Sequence, residues 1–123
     1  MTACGRILLG LLAAASLLAC DSVELTIAAS PGADGTLGVS NANDDAWPDA
    51  RLLVEAVEGD GSTTVCTEHS LPSWAPGEVV TVPVCGDKLR LTLSTAGETA
   101  RFVWAGGQLY RKFGRKEIPM HDS

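Results

Sequence analysis

Residues 88–95 carry the pattern that most narrows what this chain can fold into. Leu89, Leu91 and Leu93 alternate there with arginine, threonine and serine. Successive side chains of a strand point to opposite faces, so the leucines share one face and the polar residues share the other. This pattern is typical of a half-buried strand in an antiparallel sheet.

Turn-forming residues divide the second half of the chain into segments of similar length. They are the pairs Gly86-Asp87, Ala96-Gly97 and Gly106-Gly107. Two-residue turns of this kind join neighbouring antiparallel strands. We therefore expect the strands before and after each pair to form consecutive hairpins.

Short runs bounded by glycine, proline, asparagine and aspartate continue this pattern upstream. We predict about seven short strands, at residues 36–41, 51–57, 62–67, 79–85, 88–95, 99–104 and 108–113. Pro83 places its strand at a sheet edge or a bulge, and the proline and glycine residues of 68–78 predict a connection there. The expected fold is all-β, an antiparallel β-sandwich or a small barrel, with no helix outside the N-terminal segment.

The N-terminal segment carries a different signal. An apolar run at 7–18 follows Arg6 and leads into Leu17-Leu18-Ala19-Cys20. The run is shorter than the roughly 20 residues that span a bilayer, and its basic start and apolar core are typical of a secretory signal. The segment resembles the export signal of a bacterial lipoprotein, whose lipobox ends in a cysteine that becomes acylated. The resemblance implies a lipid anchor at Cys20.

The alternative is an ordinary signal peptide, cleaved near Ala13-Ala14-Ala15, in which Cys20 is incidental. On the lipoprotein interpretation, residues 1–19 form the signal peptide with its helix, 20–34 a lipidated tether with one short strand, 35–116 the sandwich domain and 117–123 a tail. The mature chain then has 104 residues, which suffice for one domain with its own core.

The chain is acidic. Its formal net charge is −6, and it becomes −7 once Arg6 is removed with the signal. Such a domain is not expected to bind nucleic acid or anionic lipid through its overall field. The expected partner is the membrane that holds Cys20, together with another envelope protein or a glycan.

Cysteine usage agrees with export. If Cys20 carries lipid, the mature chain keeps Cys66 and Cys85, and exported compartments are oxidising. We therefore predict a disulfide between these two cysteines. The alternative is a small envelope metal-binding protein or thiol enzyme using Cys66, His69 and Cys85, with Glu68 nearby, because zinc and copper accept such ligands. Three ligands at this spacing match no strong template, and no cofactor is expected.

Two further groups of residues have ordinary and functional interpretations. Asn41, Asn43, Asp44 and Asp45 concentrate oxygen ligands that calcium accepts. They lack the EF-hand pattern, and asparagine and aspartate are common turn residues. The turn interpretation is preferred.

The other group comprises the residues that we consider a candidate partner surface: Trp47, Trp74, Tyr110, Arg111, Lys112, Arg115 and Lys116. The two tryptophans lie in proline-flanked segments, where they would cap the end of a sandwich or, if exposed, form an interaction patch. The basic residues interleave with aromatic ones, as on anion- or lipid-binding surfaces. The alternative is a solvated strand whose charges protect a sheet edge.

The order of several motifs is similar to that of a small bacterial envelope domain of immunoglobulin-like fold. These motifs are Asn41, Trp47, Arg51-Leu52, Pro76-Gly77-Glu78 and Arg101-Phe102. The resemblance covers residues 37–104 and implies a fold without an assigned activity. With the lipobox, it predicts a lipid-anchored, non-catalytic binding or structural module that faces the periplasm or the exterior.

Overall fold

The computed structural model describes residues 24–120. This part of the chain forms nine strands and no helix: β1 (Ile27–Pro31), β2 (Thr36–Asn41), β3 (Trp47–Val57), β4 (Thr63–Trp74), β5 (Val79–Pro83), β6 (Lys88–Thr95), β7 (Glu98–Ala105), β8 (Gln108–Phe113) and β9 (Lys116–Pro119). The predicted signal helix and the predicted acylation site at Cys20 lie outside the described residues.

The strands form two antiparallel sheets. The smaller sheet has the order β1-β2-β5, and the larger has the order β4-β3-β6-β7-β8-β9. Apolar side chains from both sheets meet in one buried core. The described chain is therefore an antiparallel β-sandwich, which confirms the predicted fold class.

The core is built from the periodic positions of the strands. Leu89, Leu91 and Leu93 of β6 are completely buried, whereas the polar residues between them are half-buried on the other face. Leu37 and Val39 of β2 supply the facing side of the core. Because burying such a side chain contributes roughly 1.5–3 kcal/mol, this alternation holds the two sheets together.

Two of the predicted hairpins are confirmed. β6 pairs with β7 and β7 pairs with β8. Their turns place Ala96 and Gly97 at φ 51° and 79°, and Gly106 and Gly107 at φ 60° and 76°. Positive φ at both central residues matches the twist of the flanking strands, and glycine adopts it without steric cost.

The prediction of a hairpin at Gly86 and Asp87 is wrong. β5 pairs with β2 in the smaller sheet, whereas β6 lies between β3 and β7 in the larger one. Residues 84–87 therefore carry the chain from one sheet to the other. A Cβ added at Gly86 would lie 3.1 Å from the Cβ of Ala56, so the crossing chain passes close to β3.

Strand β4 is longer than predicted, because it continues through most of the segment 68–78 that we expected to be a connection. β4 pairs only with β3, so the backbone N–H groups along its outer edge have no neighbouring strand to bond. Pro72 is tolerated at such an edge. A register shift between Val54 and Glu55 leaves Cys66 as the extra residue of a β-bulge.

The nine observed strands comprise seven at the positions predicted for the domain, β1, which lies where one short strand was expected in the tether, and β9, which was not predicted. β1 lies in the segment expected to be a tether, and Leu25 and Ile27 are buried in the core. β9 extends into the expected tail and pairs with β8. The folded part thus begins before residue 35 and continues beyond residue 116.

Candidate functional site

The side chain of Asn41 organises one end of the sandwich. Its Nδ2 donates to the carbonyl of Asp45 at 3.0 Å and to that of Trp74 at 2.9 Å, and its Oδ1 accepts the N–H of Asn43 at 2.7 Å. Asn41 is buried, whereas Asp44 and Asp45 are exposed. These contacts support the turn interpretation of residues 41–45.

Trp47 and Trp74 lie next to this asparagine, at the start of β3 and the end of β4. Their rings meet edge to face with centroids 5.3 Å apart, and they are only 4% and 0% exposed. The Nε1 of Trp74 donates to the carbonyl of Glu78 at 2.8 Å. The hypothesis of an exposed patch does not hold for these two residues, because they pack inside the sandwich and close its end.

The predicted disulfide between Cys66 and Cys85 is present, with the two Cα atoms 6.2 Å apart. It joins β4, at one edge of the larger sheet, to the segment that follows β5, at one edge of the smaller sheet. The bridge therefore clips the two sheets together along one side of the sandwich.

The disulfide bears on the alternative that uses Cys66, His69 and Cys85 as ligands or catalytic groups. A metal ligand or nucleophile must be a thiolate, and both sulfur atoms are bonded to each other. Within residues 24–120, no group of three or more histidine, cysteine, aspartate and glutamate side chains is placed to hold a metal ion.

One carboxyl group has a shifted pKa. The hydroxyl and the N–H of Ser62 donate to the carboxylate of Asp60 at 2.7 and 3.0 Å, and they hold its pKa below the ordinary value of 3.8. Asp60 is fully exposed in the turn between β3 and β4. The shift follows from the hydrogen bonds of this turn rather than from a catalytic pair.

The predicted basic surface is divided between two faces of the larger sheet. Arg111 pairs with Phe102 across the strands and faces the core side. Tyr110 pairs with Val103 and faces the opposite side, as Lys112 does by alternation along β8. Arg115 lies in the turn between β8 and β9. The five residues therefore do not form one continuous patch.

Arg111 joins β8 to the first described residues of the chain. It donates a hydrogen bond to the carbonyl of Leu25, and its Nε lies 3.4 Å from Oε2 of Glu24. The guanidinium carbon sits 4.9 Å from the ring centroid of Phe102 and 5.7 Å from that of Phe113. This set of contacts, the Arg111 clasp, fixes the entry of the chain against β8.

Beyond the Arg111 clasp, the β8–β9 hairpin ends in a tip that we define as residues 112–118. Lys112, Arg115 and Lys116 take part in none of the ion pairs formed within residues 24–120. Phe113 and Ile118, which flank them, are 49% and 46% exposed. The tip thus combines unpaired positive charge with exposed apolar surface.

A groove opens on the side of the sandwich opposite the disulfide. The smaller sheet ends at β1, whereas the larger sheet continues through β8 and β9, and a volume of about 920 Å³ lies between them. Trp104, Leu109 and Met120 line it from the larger sheet. The edge of β1 that does not pair with β2 lines it from the smaller sheet.

This chain matches no known protein family, no curated protein and no solved structure. Within residues 24–120, the structure contains no helix that is long and apolar enough to cross a membrane.

Sequence reasoning missed the structural role of Arg111, which it grouped with the solvated basic residues. The signal was present in β8, where Leu109, Arg111 and Phe113 share one face by strand alternation. Because Leu109 is buried, that face is the core side. A basic residue on such a face needs an internal partner, and the segment before β1 supplies it.

Proposed function

We propose that this protein is a lipid-anchored module of the bacterial cell envelope, non-catalytic, which binds a partner or serves a structural role. The observation that carries the proposal is the apolar run at 7–18 followed directly by Cys20. The ordered domain follows closely, since Leu25 is already buried. An acylated Cys20 would therefore hold the domain at the membrane surface, facing the periplasm or the exterior.

The disulfide supports export. Cys66 and Cys85 bond to each other, and such bonds persist in oxidising compartments outside the cytoplasm. Their pairing leaves Cys20 as the unpaired cysteine of the mature chain. A free cysteine in an exported protein needs an explanation, and acylation provides one.

The proposed likeness to immunoglobulin-like envelope domains draws support from where its motif residues lie. Asn41 and Trp47 meet at one end of the sandwich, and the N–H of Gly77 donates to the carbonyl of Asn41 at 2.9 Å. The carboxylate of Glu78 accepts the N–H of Ala75 at 2.9 Å. Residues far apart in the sequence thus build one structural unit, as a shared fold requires.

The substitution Cys20→Ala tests the anchor. We expect the wild-type protein to incorporate labelled fatty acid and to partition into detergent, because two or three acyl chains hold a protein stably in a membrane. The Cys20→Ala protein should do neither. Cys66→Ala/Cys85→Ala is the control and should still be labelled. An unlabelled wild-type protein that stays in the aqueous phase would refute the proposal.

A further inference from the structure

The N-terminal end of the described chain lies beside the β8–β9 tip. The Arg111 clasp ties Glu24 and Leu25 to β8. Arg115 and Lys116 follow Arg111 by four and five residues, and strands rise about 3.3 Å per residue. The basic tip therefore lies within roughly 15 Å of the point where the chain enters the domain.

The proposed anchor brings this end of the sandwich close to the membrane. Only residues 21–23 separate Cys20 from Glu24, so even a fully extended chain spans at most about 14 Å between them. An acylated Cys20 would hold the Arg111 clasp within about 14 Å of the lipid headgroups, with the tip beside it.

The tip has the chemistry of a surface that contacts anionic lipid. Residues 24–120 contain eight basic side chains, four of which form ion pairs. Three of the remaining four, Lys112, Arg115 and Lys116, lie at the tip. Phe113 and Ile118 add exposed apolar area beside them. Basic residues near an anionic surface attract it, and apolar side chains enter the interface.

The acidic net charge of the chain does not oppose this contact, because charges act over a short range. At physiological ionic strength the Debye length is about 8 Å, so distant carboxylates are screened. Two of the nearby carboxylates have basic partners: Glu117 of the tip pairs with Lys88, and Glu24 pairs with Arg111. Asp44 and Asp45 form no ion pair within residues 24–120, and their loop is close because Asn43 donates to the carbonyl of Glu24 at 3.0 Å. Leaning towards the tip would move this acidic loop away from the membrane and reduce its repulsion from anionic headgroups.

From these observations we infer that the β8–β9 tip docks on the anionic phospholipid headgroups of the membrane that holds Cys20. The inference rests on the proposed lipid anchor and adds an orientation to it. The anchor supplies proximity, and Lys112, Arg115 and Lys116 supply the attraction.

The test uses the mature lipidated protein, purified from membranes and reconstituted into vesicles. One set of vesicles contains phosphatidylcholine alone, and the other also contains phosphatidylglycerol. Flotation measures attachment through the anchor, and amide hydrogen exchange of residues 112–118 measures docking. The variant Arg115→Gln/Lys116→Gln removes two charges from the tip. Arg51→Gln/Arg101→Gln removes the same charge from β3 and β7.

We expect flotation with both vesicles, and slower exchange at the tip only with phosphatidylglycerol, an effect that is present at physiological salt and is lost at about 1 M salt. Each basic residue near an anionic surface changes the affinity about fivefold, so Arg115→Gln/Lys116→Gln should weaken docking roughly 30-fold. The control variant should dock as the wild type does. Flotation with equal exchange in both vesicles would overturn the docking inference alone. Failure to float with phosphatidylcholine would overturn the anchor and, with it, this inference.

Discussion

Arg90 holds the carboxylate of Glu55 on the outer face of the larger sheet. Its Nε and Nη2 lie 3.1 and 3.0 Å from Oε1 of Glu55, and the hydroxyl of Thr63 donates to Oε2 at 3.2 Å. Glu55 is nearly buried although it lies outside the core. The pair thus joins three adjacent strands, β4, β3 and β6.

We expect Arg90→Leu to lower the free energy of unfolding by about 1.5–3 kcal/mol, because it leaves a nearly buried carboxylate without its charged partner. The double substitution Glu55→Leu/Arg90→Leu should recover more than half of that loss. Urea denaturation measures both values. Arg51→Leu breaks the exposed Arg51–Glu68 pair and should cost less than about 1 kcal/mol. Equal losses for Arg90→Leu and Arg51→Leu would contradict this ranking.

The end cluster makes a second prediction. Asn41→Asp keeps the size of the side chain but removes the two N–H donors of Nδ2. It places a carboxylate next to the two backbone carbonyls that Nδ2 bonds. We expect a loss of about 3 kcal/mol or more in the free energy of unfolding. Asn43→Asp, on a more exposed side chain, should cost less. A urea titration in which the two variants unfold at the same midpoint would show that Asn41 does not organise this end.

The disulfide should stabilise the sandwich without determining its strands. The chain between Cys66 and Cys85 closes a loop of about 20 residues, for which loop entropy gives about 3 kcal/mol. Reduction, or Cys66→Ser/Cys85→Ser, should therefore lower the melting temperature by several degrees and leave the far-ultraviolet spectrum of the native state unchanged. Cys20→Ala should not change the melting temperature. Two free thiols at Cys66 and Cys85 in the unreduced protein would contradict the bridge.

The β6–β7 turn offers a stabilising substitution. Ala96 sits at φ 51°, a left-handed conformation that costs an alanine about 1–2 kcal/mol. Ala96→Asn should raise the free energy of unfolding by about 0.5–1 kcal/mol, because asparagine tolerates this region better. Gly97→Ala, at φ 79°, should lower it by about 1 kcal/mol or more. Thermal unfolding of the two variants checks these opposite signs.

The parts of the fold that could be predicted from the sequence depend on residues close together along the chain. The alternation in Lys88–Thr95 and the turns at Ala96-Gly97 and Gly106-Gly107 are local, and they correctly predict three successive strands. The parts that it missed depend on distant partners. Pro72 indicates a loop until β4 is known to be an edge strand. Gly86-Asp87 indicates a hairpin until β5 is known to pair with β2.

The same distinction applies to the candidate site. The cysteine count and the expected compartment predicted the Cys66–Cys85 bridge, which the structure confirms. The burial of Trp47 and Trp74 was not predictable from their proline-flanked positions. It follows from register, because these residues are direct partners where β3 begins and β4 ends. The lipid anchor at Cys20 stays a prediction.

The Arg111 clasp also determines how a pull on the N-terminal chain is distributed. β1 belongs to a sheet edge and is held by β2 alone, and its pairing begins with Ile27 opposite Asn41. Tension applied at that first pair would peel β1 away one residue at a time. Because Arg111 contacts Glu24 and Leu25 ahead of β1, part of the load passes directly into β8 and the six-stranded sheet. The entry of the chain is thus attached to both sheets, and a pull on it loads β8 as well as β1 before β1 separates from β2.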